Sequence, residues 1–408
     1  MLTFKQYLIE AVKEGKNLHL EHLEDEVLNH GVDGTRAAIN FLQSLRDMLA
    51  GNAKRSVNVT VKWDGAPAVF AGINPENGKF FVGTKGVFNK TPKVNYTDAD
   101  IDTNHPSGGL SEKLKVALKY LPKLGIKGVL QGDMLFTQSD LSTETIDGIS
   151  YTTFQPNTIT YAIPKESASS IKKSKMGIVW HTTYSGDTLQ SMRASFGASI
   201  SGLTKTNDVW FTDANYKDTS GTVNFNKSET DKITAVLSLA GKTFRNMKSN
   251  FMNQLMSRDD IVILIKTFNN TKVREGQKIS NTSRHPSDLL KYVDVKLQKS
   301  IDSVRTPKAK QSKQKTKDEV IRFLSSHKGD LKTIFDMQNH LVVAKNMVIR
   351  KLQSAKGVMD TFIRTDNGYR VTPAEGFVAI DQIGNAVKLV DRMEFSRANF
   401  NAAKNWTK

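Results

Sequence analysis

Apolar and polar residues alternate over several short segments, with the two-residue period of strands that have one buried face. Between 57 and 63, valine or tryptophan alternates with asparagine, threonine and lysine. The sequence Asn-Pro-Glu-Asn-Gly at 74–78 indicates a hairpin between two such segments. We predict further strands at 68–73, 79–84, 128–136, 158–163, 177–184, 376–380 and 386–390, with a turn containing Gly384 and Asn385 between the last two.

Other segments have the 3.6-residue period of amphipathic helices. We predict helices at 2–12, 20–28 and 37–49; the last places Ala38, Ile39, Leu42, Leu45 and Leu49 on one face before Gly51. From 187 to 370 the pattern is mostly helical, most strongly at 231–239, 261–268 and 331–352. The polar, basic stretch 305–317 (RTPKAKQSKQKTK) is predicted to be a mobile loop.

These elements predict an α+β fold in three parts. An N-terminal helical segment spans 1–55. A core with an antiparallel sheet comprises 56–186 and 371–408, and a large helical insert at 187–370 interrupts it. The length of 408 residues is sufficient for two or three such units.

Positive charge is concentrated in the predicted insert. The chain has 58 lysines and arginines against 41 acidic residues, a net charge of +17. Residues 187–370 hold 32 of these cations and 18 acids, which gives +14. Such a balance favours nucleic acid as a partner, because lysine and arginine release counterions from a polyanion. The alternative is that the charge only keeps the protein in solution.

Two absences narrow the class of protein further. There are no cysteines, which excludes disulfides, thiolate zinc sites and cysteine nucleophiles, and indicates a reducing cytoplasm. No apolar run is long enough for a membrane span. We therefore expect a cytoplasmic protein, in the host cytoplasm if it is viral, that acts as a monomer without a membrane partner.

Three groups of residues have the composition of a reactive site. Lys62-Trp63-Asp64-Gly65 ends an alternating strand, where a deprotonated lysine amine can attack a phosphate and a glycine permits a sharp turn. Glu375 and Lys388 lie on one predicted hairpin, and Asp133 lies in the apolar strand 128–136. Burial of a polar group without a hydrogen-bond partner costs about 2–7 kcal/mol, and burial of an unpaired charged carboxylate costs more. The alternatives are an exposed strand lysine, a surface hairpin and an exposed turn aspartate.

In this order, these residues resemble the motifs of the covalent nucleotidyltransferases, the superfamily of ATP-dependent DNA ligases, RNA ligases and capping enzymes. Lys62–Gly65 matches the motif K-x-D-G. Thr84-Lys85-Gly86 resembles Ser-Arg-x-Gly, and Gly132–Phe136 resembles the third motif with Asp133 in place of glutamate. Residues 158–161 resemble the strand whose aromatic side chain, here Tyr161, stacks on adenine. Glu375–Val378 and Lys388 match the last two motifs.

The resemblance implies an ATP-grasp-like ligase adenylation core that uses ATP and Mg²⁺. Lys62 would be the nucleophile that becomes lysyl-AMP, and the AMP would pass to a 5′-phosphate before a 3′-hydroxyl displaces it. The residues implied to bind the nucleotide are Asp64, Gly65, Lys85, Asp133, Tyr161 (with Phe154 in reserve), Glu375 and Lys388. Asp133 and Glu375 would also bind the metal ion.

The sequence also departs from the family pattern. Val390 replaces the second lysine of the last motif, so Arg392 or Lys85 would have to take its phosphate. Pro67 stands where DNA ligases have arginine. Twenty residues follow Lys388, so we expect no C-terminal OB-fold, which favours a minimal or phage-type DNA or RNA ligase. The alternatives are transfer of AMP or GMP to another acceptor, and a non-catalytic nucleic-acid-binding or virion protein. His181 is interpreted as structural, with a position near the active site as the alternative.

Overall fold

The computed structural model describes residues 21–52, 57–106, 108–216, 223–279, 281–354, 359–365, 368–380 and 386–396. They form the mixed α+β structure that the sequence predicts, with mainly antiparallel sheets. The helix predicted at 2–12 and the turn at Gly384 and Asn385 lie outside the described residues. Among the described helices, none is both long and apolar enough to cross a membrane.

Fourteen strands lie in the described ranges, and every strand predicted from alternation is present to within about two residues. They are β1 (Asn58–Lys62), β2 (Ala68–Ile73), β3 (Phe80–Gly83), β4 (Val129–Thr137), β5 (Ser142–Ile146), β6 (Ile149–Phe154), β7 (Ile159–Pro164), β8 (Met176–Ser185), β9 (Arg193–Phe196), β10 (Val209–Asp213), β11 (Asp360–Thr365), β12 (Gly368–Val371), β13 (Gly376–Ile380) and β14 (Ala386–Leu389).

The helices of the described ranges fall into two groups. Three short helices lie among the strands: α2 (Asp98–Asn104), α3 (Gly109–Tyr120) and α4 (Ser169–Lys173). The larger group forms the helical body: α1 (Glu26–Leu49), α5 (Lys227–Asn246), α6 (Ser249–Met256), α7 (Asp259–Arg274), α8 (His285–Asp302), α9 (Pro307–Ser326) and α10 (Lys328–Leu352). Within the segment 187–370 these helices cover 227–352, and β9 to β12 flank them.

Three sheets make up the β structure. The largest has the order β10-β8-β4-β2-β3, with β9 also paired to β8; only the β8–β10 pair in it is parallel. The second, of five antiparallel strands, is β12-β11-β7-β6-β5. The third is β1-β13-β14. It joins the largest sheet where the Val61 N–H donates to the Ala214 carbonyl, just after β10, at 2.7 Å.

The β1-β13-β14 sheet has two different faces because side chains alternate along each strand. On one face Val59, Phe377, Ala379 and Leu389 are buried in the core of the helical body. The opposite face carries Thr60, Lys62, Val378, Ile380 and Lys388. The helical body therefore covers the first face of this sheet. Lys62 and Lys388, on the opposite face, point away from the helices.

A buried ion pair stabilises the junction between the helical body and the short 3-10 helix Leu23–Asp25, which we call the N-terminal turn. The Lys345 amine of α10 lies 2.8 and 2.7 Å from the two carboxylate oxygens of Glu24. Burial raises the pKa of Glu24, but the charges of Lys345, His22 and Arg392 and the hydrogen bond from Lys345 together outweigh burial and lower the pKa to about 2. Arg392 lies 3.3 Å from Asp25 in the same junction, only four residues after Lys388.

The prediction of a mobile loop at 305–317 was wrong, because residues 307–317 form the first half of α9. Thr306 accepts a hydrogen bond from the Ala309 N–H and Pro307 occupies the first turn, two features that start helices. Lys313 then donates to Ser300, and Lys317 to Gln298, across to α8. The polar composition of this segment does not indicate a helix, but contacts with α8 hold the helix in place.

We predict that Lys345→Met lowers the free energy of unfolding by about 3–5 kcal/mol, because it leaves Glu24 charged and buried without its partner. The double variant Glu24→Met, Lys345→Met should lose less than Lys345→Met alone. Urea unfolding measures both. Lys332→Met, on the same helix but in an exposed pair with Asp336, is the control and should change stability by less than about 1 kcal/mol. Equal losses for Lys345→Met and Lys332→Met would contradict a structural role for the buried pair.

Candidate functional site

A cavity of about 320 Å³ opens between the β1-β13-β14 sheet and the largest sheet. This volume is near the lower end of those found for ligand pockets, roughly 300–1,000 Å³. Its charged and aromatic lining residues come from five strands and the residue that follows β1: Lys62, Trp63, Asp133, His181, Tyr184, Phe196 and Lys388. Positions far apart in the sequence thus share one cavity.

Strand register places the two lysines on the same face. Lys62 of β1 lies opposite Gly376 of β13, and Lys388 of β14 lies opposite Val378 of β13. Positions 376 and 378 are two residues apart on one strand, so their side chains point the same way. Lys62 and Lys388 consequently flank β13 and face the cavity together.

Glu375, directly before β13, forms an ion pair with the Lys62 amine. Burial lowers the pKa of Lys62, but the charge and hydrogen bond of Glu375 outweigh it, so the pKa is raised above its ordinary value. Burial raises the pKa of Glu375, against the opposing effect of Lys62. The amine is therefore held protonated in this arrangement.

Lys388 is the less compensated of the two amines. Burial and the neighbouring charge of Lys62 lower its pKa. Within the described ranges, its amine has neither an ion pair nor a hydrogen bond. Lys388 therefore places an amine without an ion pair in the cavity lining, which makes it a candidate contact for an anion.

Asp133 and His181 lie on the neighbouring strands β4 and β8 of the largest sheet. The His181 Nε2 lies 3.6 Å from the Asp133 Oδ1, and each side chain is about one-quarter exposed, 26% and 24%. His181 is the extra residue of a β-bulge, because Gln131 pairs with Thr182 and the next residue, Gly132, pairs with Trp180. The bulge brings His181 to the cavity while Trp180 and Thr182 on either side of it stay buried.

The sequence favoured a structural role for His181 over a position near the active site, and the structure places it in the cavity lining. Strict alternation in 177–184 does not reveal a bulge, which depends on pairing with β4. The available signal was a polar, titratable side chain in an otherwise apolar strand segment.

Asp64 has an anchoring position and does not line the cavity. Its buried carboxylate accepts hydrogen bonds from the Thr158 and Ile159 N–H groups at 2.6 and 2.7 Å, and from the Asn157 amide at 2.8 Å. Burial raises the pKa of Asp64, although these hydrogen bonds oppose the shift. Asp64 thus joins the end of β1 to the start of β7. Gly65 is needed because an added Cβ would lie 2.6 Å from the Asp133 Cβ.

Tyr161 is also structural here, since it is only 3% exposed. Its ring stacks on Trp63 at 5.2 Å and on Phe154 at 5.4 Å between ring centroids, and its hydroxyl oxygen accepts the Asp64 N–H. The structure places neither Tyr161 nor Phe154 among the residues that line the cavity. These aromatic rings support Trp63, which does line it.

The two suggested replacements for the missing second lysine also lie elsewhere. Lys85 is exposed at the start of a short 3-10 helix and does not line the cavity. Arg392 pairs with Asp25 in the helical body, and Val390 is buried in a separate core. Of the residues implied to bind a nucleotide, the structure brings together Lys62, Asp133, Glu375 and Lys388. Asp64, Gly65 and Tyr161 hold their surroundings in place.

In the described part of the chain, no three histidine or acidic side chains are grouped as ligands for a metal ion. Mg²⁺ requires fewer protein ligands, since it is usually held by one or two carboxylates together with substrate phosphates and water. Asp133 in the cavity and Glu375 beside Lys62 are carboxylates of this kind.

Comparison with known proteins assigns the chain to a family but not to an activity. A family model matches residues 17–404, so this protein belongs to the family of unknown function DUF6267. Searches of curated proteins and of solved structures returned no match.

We predict that Asp64→Ala lowers the free energy of unfolding by about 3 kcal/mol or more, because it leaves two buried N–H groups and an amide without their charged acceptor. Asp64→Asn should lose less, since it keeps one acceptor oxygen. Thermal or urea unfolding measures the difference, with the exposed Asp187→Ala as the control within about 0.5 kcal/mol of the parent. A loss as small as that of the control would show that Asp64 does not anchor the site.

Proposed function

We propose that this protein is a covalent nucleotidyltransferase in which the Lys62 amine takes AMP from ATP, and that it uses this AMP to join polynucleotide ends as a DNA or RNA ligase. One observation carries the proposal: strands from three separate parts of the sequence bring Lys62, Asp133 and Lys388 to one cavity, and Glu375 forms an ion pair with Lys62. These are the residues that the family motifs single out.

The first step makes specific demands on the site. The Lys62 nitrogen must lose a proton and bond to the α-phosphorus, while the bond from that phosphorus to the bridging oxygen breaks and pyrophosphate leaves. The Lys388 ammonium faces the same cavity and suits the charge that develops on the α-phosphate. Glu375, which holds the proton on Lys62 in this structure, is positioned to control when the amine becomes free.

The next two steps complete strand joining. A 5′-phosphate oxygen displaces Lys62 from the adenylate, which regenerates the free amine and gives an end activated by AMP. A 3′-hydroxyl then attacks the activated phosphorus and AMP leaves. Asp133 and Glu375 would hold Mg²⁺, which supplies neutralisation of phosphate charge.

The adenine base needs a flat apolar surface. The Tyr161 ring is covered by Trp63 and Phe154. Aromatic side chains that are open to the cavity are therefore more suitable for binding the base. Trp63, His181 and Phe196 line it, and His181 lies beside Asp133, where it extends the reach of this short carboxylate. We assign base and ribose contacts to these residues in place of Tyr161.

We predict that purified protein incubated with Mg²⁺ and ATP labelled on the α-phosphate retains AMP through denaturation, and that Lys62→Arg does not. Arginine keeps the positive charge opposite Glu375, so this variant tests the nucleophile without removing the ion pair. Peptide mapping of the adduct should place AMP on Lys62.

A parallel reaction with labelled GTP, followed by nicked DNA, DNA–RNA hybrids and single-stranded RNA, separates ligation from transfer to other acceptors. An adduct of equal yield in Lys62→Arg would place the nucleophile elsewhere. If the parent protein forms no covalent nucleotide with either ATP or GTP, the proposal fails and a non-catalytic nucleic-acid-binding protein is favoured.

We also predict a change in the pH dependence of adenylation in Glu375→Gln. Glu375 raises the pKa of Lys62, so in the parent the rate should rise as pH increases towards that pKa. Removing the carboxylate charge lowers the pKa of Lys62. The midpoint of the rising limb should therefore move to lower pH by about 1 unit or more, even though the maximum rate falls.

Single-turnover adenylation at saturating ATP, measured across the pH range, checks this shift. Glu166→Gln removes an exposed carboxylate outside the cavity and should leave the midpoint unchanged. The same midpoint in Glu375→Gln and the parent would mean that Glu375 does not govern the protonation of Lys62.

A further inference from the structure

The antiparallel helices α8 and α9 form a hairpin whose far end we call the arm, residues 295–317. The base of the hairpin is anchored in the helical body. There His285 packs against Phe268 and Phe335, while Val320 and Leu324 are buried. Along the arm itself, which is described throughout, Ile301 is the one buried side chain. The arm is thus an exposed structure that is held by its base.

The arm is strongly and almost uniformly positive. Its 23 residues contain eight lysines and arginines and one acidic residue, Asp302. Arg305, Lys308, Lys310 and Lys315 are exposed, and in the described part of the chain none of these four forms an ion pair or a side-chain hydrogen bond. An ion pair does form at the inner end of the arm, where Lys317 lies 2.8 Å from Asp294.

This placement of charge costs stability in the protein alone. The first turn of α9 has no acidic residue, and Lys308 lies within it. A cation near a helix N-terminus opposes the helix dipole, by typically 0.3–1 kcal/mol. Lys310 and Lys313 add a like-charge contact three residues apart, which costs a few tenths of a kcal/mol, roughly 0.2–0.5. A polyanionic partner would reverse the sign of both effects.

The surface chemistry also discriminates between partners. A protein interface has an apolar centre with a polar rim. The arm lacks such a centre, since Val295, 54% exposed, is its one exposed large hydrophobic residue. Phosphate groups along a nucleic-acid backbone are bound by dispersed cations without any apolar surface.

From these observations we infer that the arm binds the phosphate backbone of a polynucleotide, independently of base sequence. The inference rests on the proposed function to the extent that polynucleotide ends are the substrate of the Lys62 site. The exposed quartet of Arg305, Lys308, Lys310 and Lys315 makes the contacts, and the anchored base fixes their position relative to the body.

The test replaces all four residues of the quartet by glutamine, which preserves helix propensity and removes the charge. The matched control replaces Lys127, Lys165, Lys173 and Lys205, which are exposed outside the arm, by glutamine. A third variant replaces Lys308, Lys310 and Lys315 by arginine and keeps the charge. Fluorescence anisotropy with nicked duplex DNA and with single-stranded RNA, from 50 to 200 mM salt, measures binding. Circular dichroism confirms that each variant is folded.

Four phosphate contacts contribute about 3.6 to the slope of log affinity against log salt on duplex DNA. The quartet variant should therefore lose most of this slope and at least about tenfold in affinity at the lowest salt. The matched control should lose less than about one unit of slope, and the arginine variant should bind as the parent does. The two probes distinguish DNA from RNA as the source of the phosphates.

Lys62 adenylation is measured in the same preparations. Adenylation that is unchanged in the quartet variant, with binding reduced, supports both proposals. Arm-dependent binding in a parent protein that forms no adenylate supports the arm and overturns the nucleotidyltransferase. Parent-like binding by the quartet variant overturns the arm, whatever the adenylation result. Equal competition by polyglutamate at matched charge concentration also overturns it, in favour of an acidic polypeptide.

Discussion

Antiparallel pairing of β1 with β13 is the interaction on which the rest of the site depends. It sets Lys62 opposite Gly376 although more than 300 residues separate them in the sequence. Because side chains alternate, the same register commits Val59, Phe377 and Ala379 to the helical core and turns Lys62 towards the cavity. A one-residue slip would exchange the two faces, burying the lysine in an apolar core. The packing of the helical body thereby specifies the orientation of the Lys62 amine.

Charged residues form two groups, one at the cavity and one on the opposite side of the β1-β13-β14 sheet. Lys62 and Glu375 neutralise each other, whereas Lys388 has its pKa lowered by burial and by Lys62. Behind the sheet, Glu24, Lys345, Asp25 and Arg392 form a second group that holds the N-terminal turn against the helical body. The two groups meet at β14, where the Lys388 N–H donates to the Glu21 carbonyl at 3.2 Å. The same strand thus carries a cavity cation on its side chain and a structural contact on its backbone.

Period-two alternation was sufficient to predict the strands that have one buried face, such as β2 and β13. It missed β5 and β9 to β12, whose residues are mostly exposed or only partly buried, so no clear apolar face distinguishes them. It also missed β6, which is more deeply buried. Sequence order grouped Lys62, Glu375, Lys388 and Asp133, because each lies on, or directly before, a strand with a readable pattern. It could not show that Trp63 and Phe154 would cover Tyr161, or that a bulge would turn His181 towards the cavity. Those outcomes depend on contacts between distant strands, which local patterns do not encode.

The late position of β13 and β14 has a consequence for biosynthesis. A ribosome has made β1 and most of the largest sheet long before residues 376–389 emerge, so during most of translation the edge of β1 lacks the partner that completes the cavity. Contacts of such long sequence separation form slowly and only after costly loop closure. Nascent chains consequently lack the ion pair between Lys62 and Glu375 until residues 376–389 have been made, and the cavity can assemble only after that point.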